Sequence, residues 1–262
     1  MVDNIQSKQI KVGKLGIHYF TAGHGEPLVV IHGVGGGAEG WLQSGAEVSG
    51  HYRVYVPDLP GFGDSQPMSG NFGVPEFVQF TEDFTRTLGL TRFHLVGHSA
   101  GGGIALHYAL KFPYKLGKLV LVSSMCLGKE MALWIRILSA SAFCRSLGIA
   151  TAAIMEATKW LFSLAYAPLK FVNPLPQGKI RLGASMTTLK EQTMVLVNQL
   201  SELTMPTLLV WGANDSIVPV SHAYAAAQLI PDCQLHIFKG CGHSVYKQKA
   251  KEFSQLLTGF LG

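Results

Sequence analysis

The sequence is poor in charged residues. Only 14% of its 262 residues are Asp, Glu, Lys or Arg, whereas 48% are hydrophobic. This balance excludes an intrinsically disordered chain and favours one folded domain with a well-covered core. The formal net charge is +5, but Lys and Arg are scattered and form no run of five or more. The sequence therefore does not favour a nucleic-acid-binding protein.

Apolar runs long enough to cross a membrane are also missing. The polar N-terminus lacks the apolar core of a signal peptide, which predicts a cytoplasmic location. Charged side chains interrupt the strongly apolar segment 131–171, so it offers no stretch of the roughly 18 to 20 apolar residues that a spanning helix needs. Cysteines number only four, and in the cytoplasm we expect them to be free thiols.

Short apolar strands alternate with helical segments along most of the chain. The predicted strands are 9–20, 27–32, 53–58, 93–97, 118–123, 207–211 and 233–238, and the predicted helices are 41–48, 75–88, 100–112, 220–230 and 245–261. Such alternation is typical of the α/β class, with a mostly parallel sheet flanked by helices. The interval 126–203 contains helical stretches but no convincing strand. We therefore expect a core domain of residues 1–125 and 204–262, with residues 126–203 inserted as a helical lid.

The strongest local motif is GHSAG at residues 97–101, a G-x-S-x-G pattern between a predicted strand and a predicted helix. In this setting the serine occupies a sharp turn that lifts its hydroxyl clear of the sheet. The flanking glycines are needed because side chains there would collide with the neighbouring strand and helix. The pattern predicts Ser99 as a nucleophile, and His98 as a packed or hydrogen-bonding histidine.

With this motif in its strand-turn-helix setting, the chain resembles the α/β-hydrolase superfamily from about Ile10 to its C-terminus. The resemblance implies that a serine, an acid and a histidine follow one another in the sequence. Residues 207–219, TLLVWGANDSIVP, resemble the family's acid loop and indicate Asp215. The sequence GCGHS at 240–244 follows the last strand and indicates His243 as the base. A serine hydroxyl needs both partners to become nucleophilic at neutral pH.

A glycine-rich loop, HGVGGG at residues 32–37, follows the predicted strand 27–32. It matches the family's oxyanion loop, and the resemblance makes the backbone N–H groups of Val34 and Ala100 the expected oxyanion donors. The same region also fits a dinucleotide fingerprint, with Gly35, Gly37 and Gly40 followed by Asp58 at the end of a strand. That alternative leaves the serine, acid and histidine placements unexplained.

The sequence does not decide the substrate. Residues 32–41, HGVGGGAEGW, are similar to the H-G-x-G-P-G-A-x-x-W of meta-cleavage-product hydrolases, which break carbon–carbon bonds in vinylogous diketo acids. Gly36 replaces the proline, and His98 stands where many of those enzymes have Asn. The leading expectation is therefore hydrolysis of a carboxylic ester or lactone, with carbon–carbon hydrolysis as the alternative. A dinucleotide-binding protein or a non-catalytic ligand-binding member of the fold is a remote alternative.

Candidate substrate contacts lie in the expected lid. Trp134 and Trp160 suggest an apolar pocket, and Arg181 is a candidate for binding a substrate carboxylate, although packing and solvent exposure explain these residues equally well. We expect a small-molecule substrate, no cofactor, no metal and no nucleic acid. The basic, apolar lid leaves peripheral lipid contact open, and the sequence leaves a homodimer open.

Overall fold

The computed structural model describes residues 5–69, 73–131, 182, 185–186 and 191–262. Within them, eight strands form one sheet in the order β1-β2-β4-β3-β5-β6-β7-β8. The strands are β1 Gln6–Val12, β2 Leu15–Ala22, β3 Glu26–Ile31, β4 Tyr52–Pro57, β5 Phe93–His98, β6 Leu116–Val122, β7 Thr207–Gly212 and β8 Cys233–Phe238. From β4 to β8 all neighbours are parallel, whereas β1 and β2 are antiparallel. The predicted α/β-hydrolase architecture is confirmed.

One predicted strand is wrong in detail. Residues 9–20 form part of a hairpin, in which Val12 pairs with Leu15 across a two-residue turn. Gly13 has φ +58° in this turn, a left-handed conformation that glycine adopts without steric cost. The segment therefore folds back on itself and adds two antiparallel strands at the edge of the parallel sheet.

Helices cover both faces of the sheet. They are α1 Leu42–Val48, α2 Val74–Thr87, α3 Ala100–Lys111, α4 Ser221–Ala227, α5 Val245–Gln248 and α6 Ala250–Leu261, with 3₁₀ turns at Ala38–Trp41, Pro113–Lys115 and Val197–Glu202. Side chains of α2, α3 and α4 belong to one apolar core, and those of α1, α5 and α6 to another. Strand β3 faces both cores: Val29 and Ile31 join the first, and Leu28 and Val30 join the second. Burial on both faces explains its unbroken apolar run.

The predicted lid, residues 126–203, lies largely outside the described residues, but the structure describes its two ends. The side-chain oxygen of Gln192 accepts the N–H of Cys126 at 2.7 Å, and its side-chain N–H donates to the carbonyl of Glu130 at 3.0 Å. The backbone N–H of Gln192 also donates to the carbonyl of Lys129 at 2.9 Å. These bonds hold Cys126 at φ +72°, an unfavourable conformation for a non-glycine residue. One buried amide thus joins the two ends of the segment that the sequence predicts to be a lid.

No helix in the described ranges is both long and apolar enough to cross a bilayer.

Candidate active site

Ser99 lies on a strained turn between β5 and α3. Its backbone has φ 55° and ψ −122°, a conformation that costs a non-glycine residue about 1 to 3 kcal/mol. Backbone hydrogen bonds hold it there: the N–H of Ser99 donates to Val122 at 3.0 Å, and its carbonyl accepts from Gly103 at 3.2 Å and Met125 at 3.0 Å. Ser99 is half-buried. The structure thus places the predicted nucleophile at the carboxyl edge of the parallel strands.

Two glycines of the motif make this turn sterically feasible. A Cβ atom on Gly97 would lie 2.5 Å from the carbonyl oxygen of Gly101, and one on Gly101 would lie 2.3 Å from the carbonyl oxygen of Ile31. Both distances are shorter than real Cβ contacts, so the strand and helix can approach this closely only without side chains. The physical reason for the G-x-S-x-G spacing is therefore visible in the packing around Ser99.

Asp215 and His243 form a direct hydrogen-bonded pair. Asp215 follows β7 and His243 follows β8, and the Nδ1 of His243 lies 2.9 Å from Oδ2 and 3.1 Å from Oδ1 of the carboxylate. Oδ1 also accepts the backbone N–H groups of Ile217 and Val218, at 2.9 and 3.0 Å. The side chain of Asp215 is fully buried, and that of His243 is 13% exposed. One imidazole nitrogen is thus fixed while the ring keeps limited access to solvent.

The environment keeps this carboxylate ionised. Burial alone would raise the pKa of Asp215, but the hydrogen bond and charge of His243 and the two backbone N–H groups outweigh burial, and the pKa falls below its ordinary value. An ionised acid accepts the Nδ1 proton of His243 and therefore leaves Nε2 as the nitrogen able to take a proton.

His98 connects the turn at Ser99 to the loop that carries His243. Its Nε2 donates to the backbone carbonyl of His243 at 3.0 Å, and the centroids of the two imidazole rings are 4.8 Å apart. Burial, reinforced by the positive charge of His243, lowers the pKa of His98 to about 3, so His98 is neutral at physiological pH. Its Nδ1 is buried and has no hydrogen-bond partner in the described part of the chain. The prediction that His98 is a packed, hydrogen-bonding residue agrees with this geometry.

Ser99 has no direct bond to the Asp215–His243 pair in the described part of the chain, and its neighbour His98 makes the contact with His243. In the portion of the chain that the structure describes, the Ser99 hydroxyl forms no hydrogen bond, whereas His98, the preceding residue, contacts His243 directly. Hydrogen bonds between a nucleophile and its base are often long without substrate and shorten when substrate binds. The structure therefore brings Asp215 and His243 together, and the Ser99–His243 proton transfer stays a prediction.

The glycine-rich loop packs directly beside the nucleophile turn. A Cβ on Gly33 would lie 2.8 Å from the Cβ of Ser99. The N–H of Leu59 donates to Nε2 of His32 at 3.0 Å, so the proton of this imidazole is on Nδ1. The carbonyl of Gly33 accepts that Nδ1–H at 2.9 Å. In a trans peptide the next N–H points opposite to this carbonyl, so the N–H of Val34 points away from His32.

The second expected donor belongs to the helix that Ser99 precedes. Ala100 is the first residue of α3, where backbone N–H groups lack partners within the helix. Val34 and Ala100 thus belong to the two segments that meet beside Ser99. Their role as oxyanion donors stays a prediction.

Asp58, the acidic residue that the dinucleotide alternative requires, is occupied by hydrogen bonds within the protein. Oδ1 of Asp58 accepts the N–H of Ala38 at 2.8 Å, and Oδ2 contacts the Nδ1 of His18 at 2.7 Å and the N–H of Asp64 at 3.3 Å. Both carboxylate oxygens therefore bind groups inside the protein. In the structure Asp58 anchors neighbouring loops through these bonds. A dinucleotide-binding protein would instead need this carboxylate to bind the ribose.

An aromatic layer that was not predicted from the sequence lies beneath the site. The rings of Trp41 and Tyr246 stack at a centroid distance of 3.9 Å with an interplanar angle of 4°. Tyr246 also packs edge-on against His98 at 4.8 Å. Trp41 belongs to the motif at residues 32–41 and could have been found there, whereas no pattern marks Tyr246, since it is brought in by the helix after His243.

The candidate substrate contacts Trp134, Trp160 and Arg181 lie outside the described residues. Across the described ranges, no three His, Cys, Asp or Glu side chains are grouped as a metal site would require.

Comparison with known proteins agrees with this fold. Residues 26–250 match the family model of the α/β hydrolase fold, and the chain belongs to this family. It is a hydrolase of that fold. Among curated proteins it is similar to a 2-hydroxy-6-oxononadienedioate/2-hydroxy-6-oxononatrienedioate hydrolase of a Pseudomonas species, with 31% identity covering 94% of the chain and 91% of the relative. A 2-hydroxy-6-oxo-6-phenylhexa-2,4-dienoate hydrolase of Comamonas testosteroni is 29% identical over the same shares.

Solved structures show the same fold at lower identity. A meta-cleavage product hydrolase of Pseudomonas fluorescens superposes with a TM-score of 0.76 at 22% identity, covering 97% of this chain and 96% of the other. A carboxylesterase of Bacillus subtilis superposes with a TM-score of 0.73, also at 22% identity, covering 98% and 92%. Hydrolases that cleave different bonds thus share this architecture, so the fold alone does not determine which bond is cleaved.

Proposed function

We propose that the protein hydrolyses a carbon–carbon bond in a small vinylogous diketo acid, using Ser99, His243 and Asp215. The observation that carries the substrate class is the similarity, over 94% of the chain, to a dienedioate hydrolase at 31% identity. It supports this reaction better than ester hydrolysis, which the sequence alone placed first. The resemblance of residues 32–41 to the corresponding loop of meta-cleavage-product hydrolases points in the same direction.

Ser99 is the proposed nucleophile. Its Oγ adds to the ketone carbonyl of the substrate while Nε2 of His243 takes the hydroxyl proton, and Asp215 stabilises the resulting imidazolium. The N–H groups of Val34 and Ala100 receive the oxyanion. Each such donor contributes about 3 to 4 kcal/mol to lowering the barrier.

Bond cleavage then follows from the substrate's conjugation. As the oxyanion collapses, the carbon–carbon bond beside it breaks, and its electron pair is delocalised into the conjugated keto acid. The imidazolium of His243 returns its proton to that fragment, which leaves as a 2-hydroxydienoic acid. Water, deprotonated by His243, releases the acyl group from Ser99 as a carboxylic acid. The balance is one water consumed and two products formed.

A carboxylesterase is the second candidate. The same three side chains would act on an ester, and a carboxylesterase is among the solved structures with the same fold. His98 and Gly36, which replace the Asn and Pro of many meta-cleavage-product hydrolases, favour this alternative. The two candidates differ in the leaving group, which is an alkoxide in one case and a stabilised carbanion in the other.

Steady-state kinetics on two substrates decides between them. The purified protein is assayed with 2-hydroxy-6-oxo-6-phenylhexa-2,4-dienoate and with p-nitrophenyl esters of short acids. We expect kcat/KM for the dienoate to exceed that for the esters by about 100-fold or more, equivalent to about 2.7 kcal/mol of differential transition-state binding. The reverse preference would assign the protein as an esterase. No turnover of either substrate would favour a non-catalytic member of the fold.

The nucleophile is tested separately. Ser99→Ala should lower kcat by about 10⁴ to 10⁶-fold on whichever substrate is turned over, without changing the melting temperature appreciably. Ser201→Ala, at an exposed position in the 3₁₀ turn Val197–Glu202, is the matched control and should retain full activity. A fluorophosphonate adduct mapped to Ser99 by mass spectrometry would support the assignment, and an unchanged rate in Ser99→Ala would refute it.

A further inference from the structure

A second Ser-His-Asp arrangement lies at the antiparallel edge of the sheet. The hydroxyl of Ser7 is 2.8 Å from Nε2 of His18, and Nδ1 of His18 is 2.7 Å from Oδ2 of Asp58. With the Nδ1 proton donated to the carboxylate, Nε2 is the ring nitrogen that can accept the hydroxyl proton of Ser7. Hydroxyl, imidazole and carboxylate thus have the connectivity that makes a serine nucleophilic.

Burial distinguishes the three members. The side chains of His18 and Asp58 are each only 6% exposed, so this pair is held rigidly. Ser7 lies on strand β1 and is exposed, which makes its hydroxyl accessible to a reagent. The arrangement therefore combines a shielded base with an accessible nucleophile.

An open cleft is lined by His18 and Asp58, and Ser7 lies outside its lining. Its volume is about 490 Å³, and its lining includes His18, Phe20, Asp58 and Lys247. Phe20 is the register partner of Ser7 across β1 and β2, and its ring packs edge-on against His18 at 4.7 Å. The carboxylates of Glu39, Asp58 and Asp64 line this cleft together with the ammonium of Lys247, so the cleft disfavours anionic ligands and admits small neutral ones.

The loop-anchoring role of Asp58 does not account for Ser7. The carboxylate already holds the N–H groups of Ala38 and Asp64 and orients His18, and none of these contacts involves the serine. The backbone N–H of His18 is held by Ser65, at 2.9 Å from its hydroxyl. The hydrogen bond from the exposed Ser7 is thus additional to the structural network.

We infer that Ser7 is a second acyl acceptor, which reacts with small neutral activated carboxylic esters independently of Ser99 and of the function proposed above. In the reaction, Oγ of Ser7 adds to the ester carbonyl while its proton passes to Nε2 of His18, and Asp58 stabilises the imidazolium. The bond to the leaving phenolate breaks, the phenolate departs, and His18 releases its proton to solvent. The product is an O-acyl serine at position 7.

The test uses the Ser99→Ala protein, so that the principal nucleophile is absent. It is treated with p-nitrophenyl acetate, and acetylation is followed by peptide mass spectrometry with fragmentation that separates Ser7 from the neighbouring Lys8. General-base assistance contributes about 10² to 10⁴-fold to rate. We therefore expect Ser7 to be acetylated at least about 100-fold faster than Ser201, an exposed serine in the same molecule.

Three further variants in the Ser99→Ala background locate the cause. Ser7→Ala should abolish the fast acetylation, whereas Ser201→Ala should leave it unchanged. His18→Asn retains a side-chain N–H near the position of Nδ1 but removes Nε2, and it should slow acetylation of Ser7 by about 100-fold. If His18→Asn fails to fold, the rate ratio of Ser7 to Ser201 decides alone. Equal rates at the two serines, or an unchanged rate in folded His18→Asn, would overturn the inference.

Discussion

The neutral, buried state of His98 makes the stability of the protein depend on pH in a calculable way. In the folded protein the pKa of His98 is lowered to about 3, whereas the unfolded chain has the ordinary value of 6.5. Between these values only the unfolded chain binds the proton. The stabilisation associated with the neutral ring is therefore complete above pH 6.5 and is progressively lost as the pH falls towards 3.

The size of this effect at pH 5 hardly depends on the folded-state value. Because pH 5 is 1.5 units below the unfolded pKa of 6.5 and well above the folded pKa, protonation of His98 favours the unfolded chain by about 2 kcal/mol. At pH 7 the corresponding term is only about 0.2 kcal/mol. Moving from pH 7 to pH 5 should thus reduce the free energy of unfolding by close to 2 kcal/mol through this one side chain.

The assay compares denaturant unfolding of the wild type and of His98→Asn at pH 7 and pH 5. The other histidines are present in both proteins, so the difference between the two pH dependences reports on position 98 together with its contact with His243. We expect the wild type to lose about 2 kcal/mol more than His98→Asn. His24→Asn, at an exposed histidine, is the control for removing a histidine as such and should follow the wild type. Parallel pH dependences in wild type and His98→Asn would refute the neutral, buried state of His98.

Three further substitutions test the site and its packing. Asp215→Asn should lower kcat by about 10⁴-fold on the preferred substrate, since the amide cannot stabilise the imidazolium. Folding lowers the pKa of Asp215, so the carboxylate should stabilise the protein above the unfolded pKa of 3.8 and lose this effect as the pH falls below it. Unfolding of the wild type and Asp215→Asn at pH 7 and pH 3 measures this contribution. Gly101→Ala should destabilise the fold by at least about 1 to 3 kcal/mol in thermal unfolding, because the new methyl group would meet the carbonyl of Ile31. Gly259→Ala, on an exposed helical position with no atom within 4 Å of the added Cβ, should instead stabilise the protein by about 0.5 to 1 kcal/mol, and a destabilisation there would contradict the packing described for α6.

Local patterns predicted the central sheet because its strands are short, apolar and separated by helices. Strands β3 to β8 lie within a few residues of their predicted bounds. Burial on both faces explains the apolar runs of β3 and β7, whereas β8, at the sheet edge, alternates partly buried residues with the exposed Gln234 and His236. The hairpin of β1 and β2 was missed because its turn holds a single glycine, Gly13, within a continuous β-like pattern. Similarly, the predicted helix 245–261 is divided into α5 and α6 at Lys249, whose φ of −133° ends the first helix.

The parts of the site that lie in loops directly after a strand could be predicted from the sequence. Ser99, Asp215 and His243 each follow a strand, so their positions can be read from sequence order once the strands are known. The contact of His98 with His243 could not be read in this way, because it joins residues 145 positions apart. The same holds for the bond between Ser7 and His18, which depends on the register of the missed hairpin.

The amide of Gln192 has a consequence for how this protein can diversify. Since it fastens Cys126 and Glu130 to residue 192, the length and composition of the chain between these anchor points can change with little added cost of loop closure. A different segment grafted between the same two anchor points would meet an unaltered sheet edge. The residues between Cys126 and Gln192 can therefore vary in sequence while the strands that precede Ser99, Asp215 and His243 keep their places.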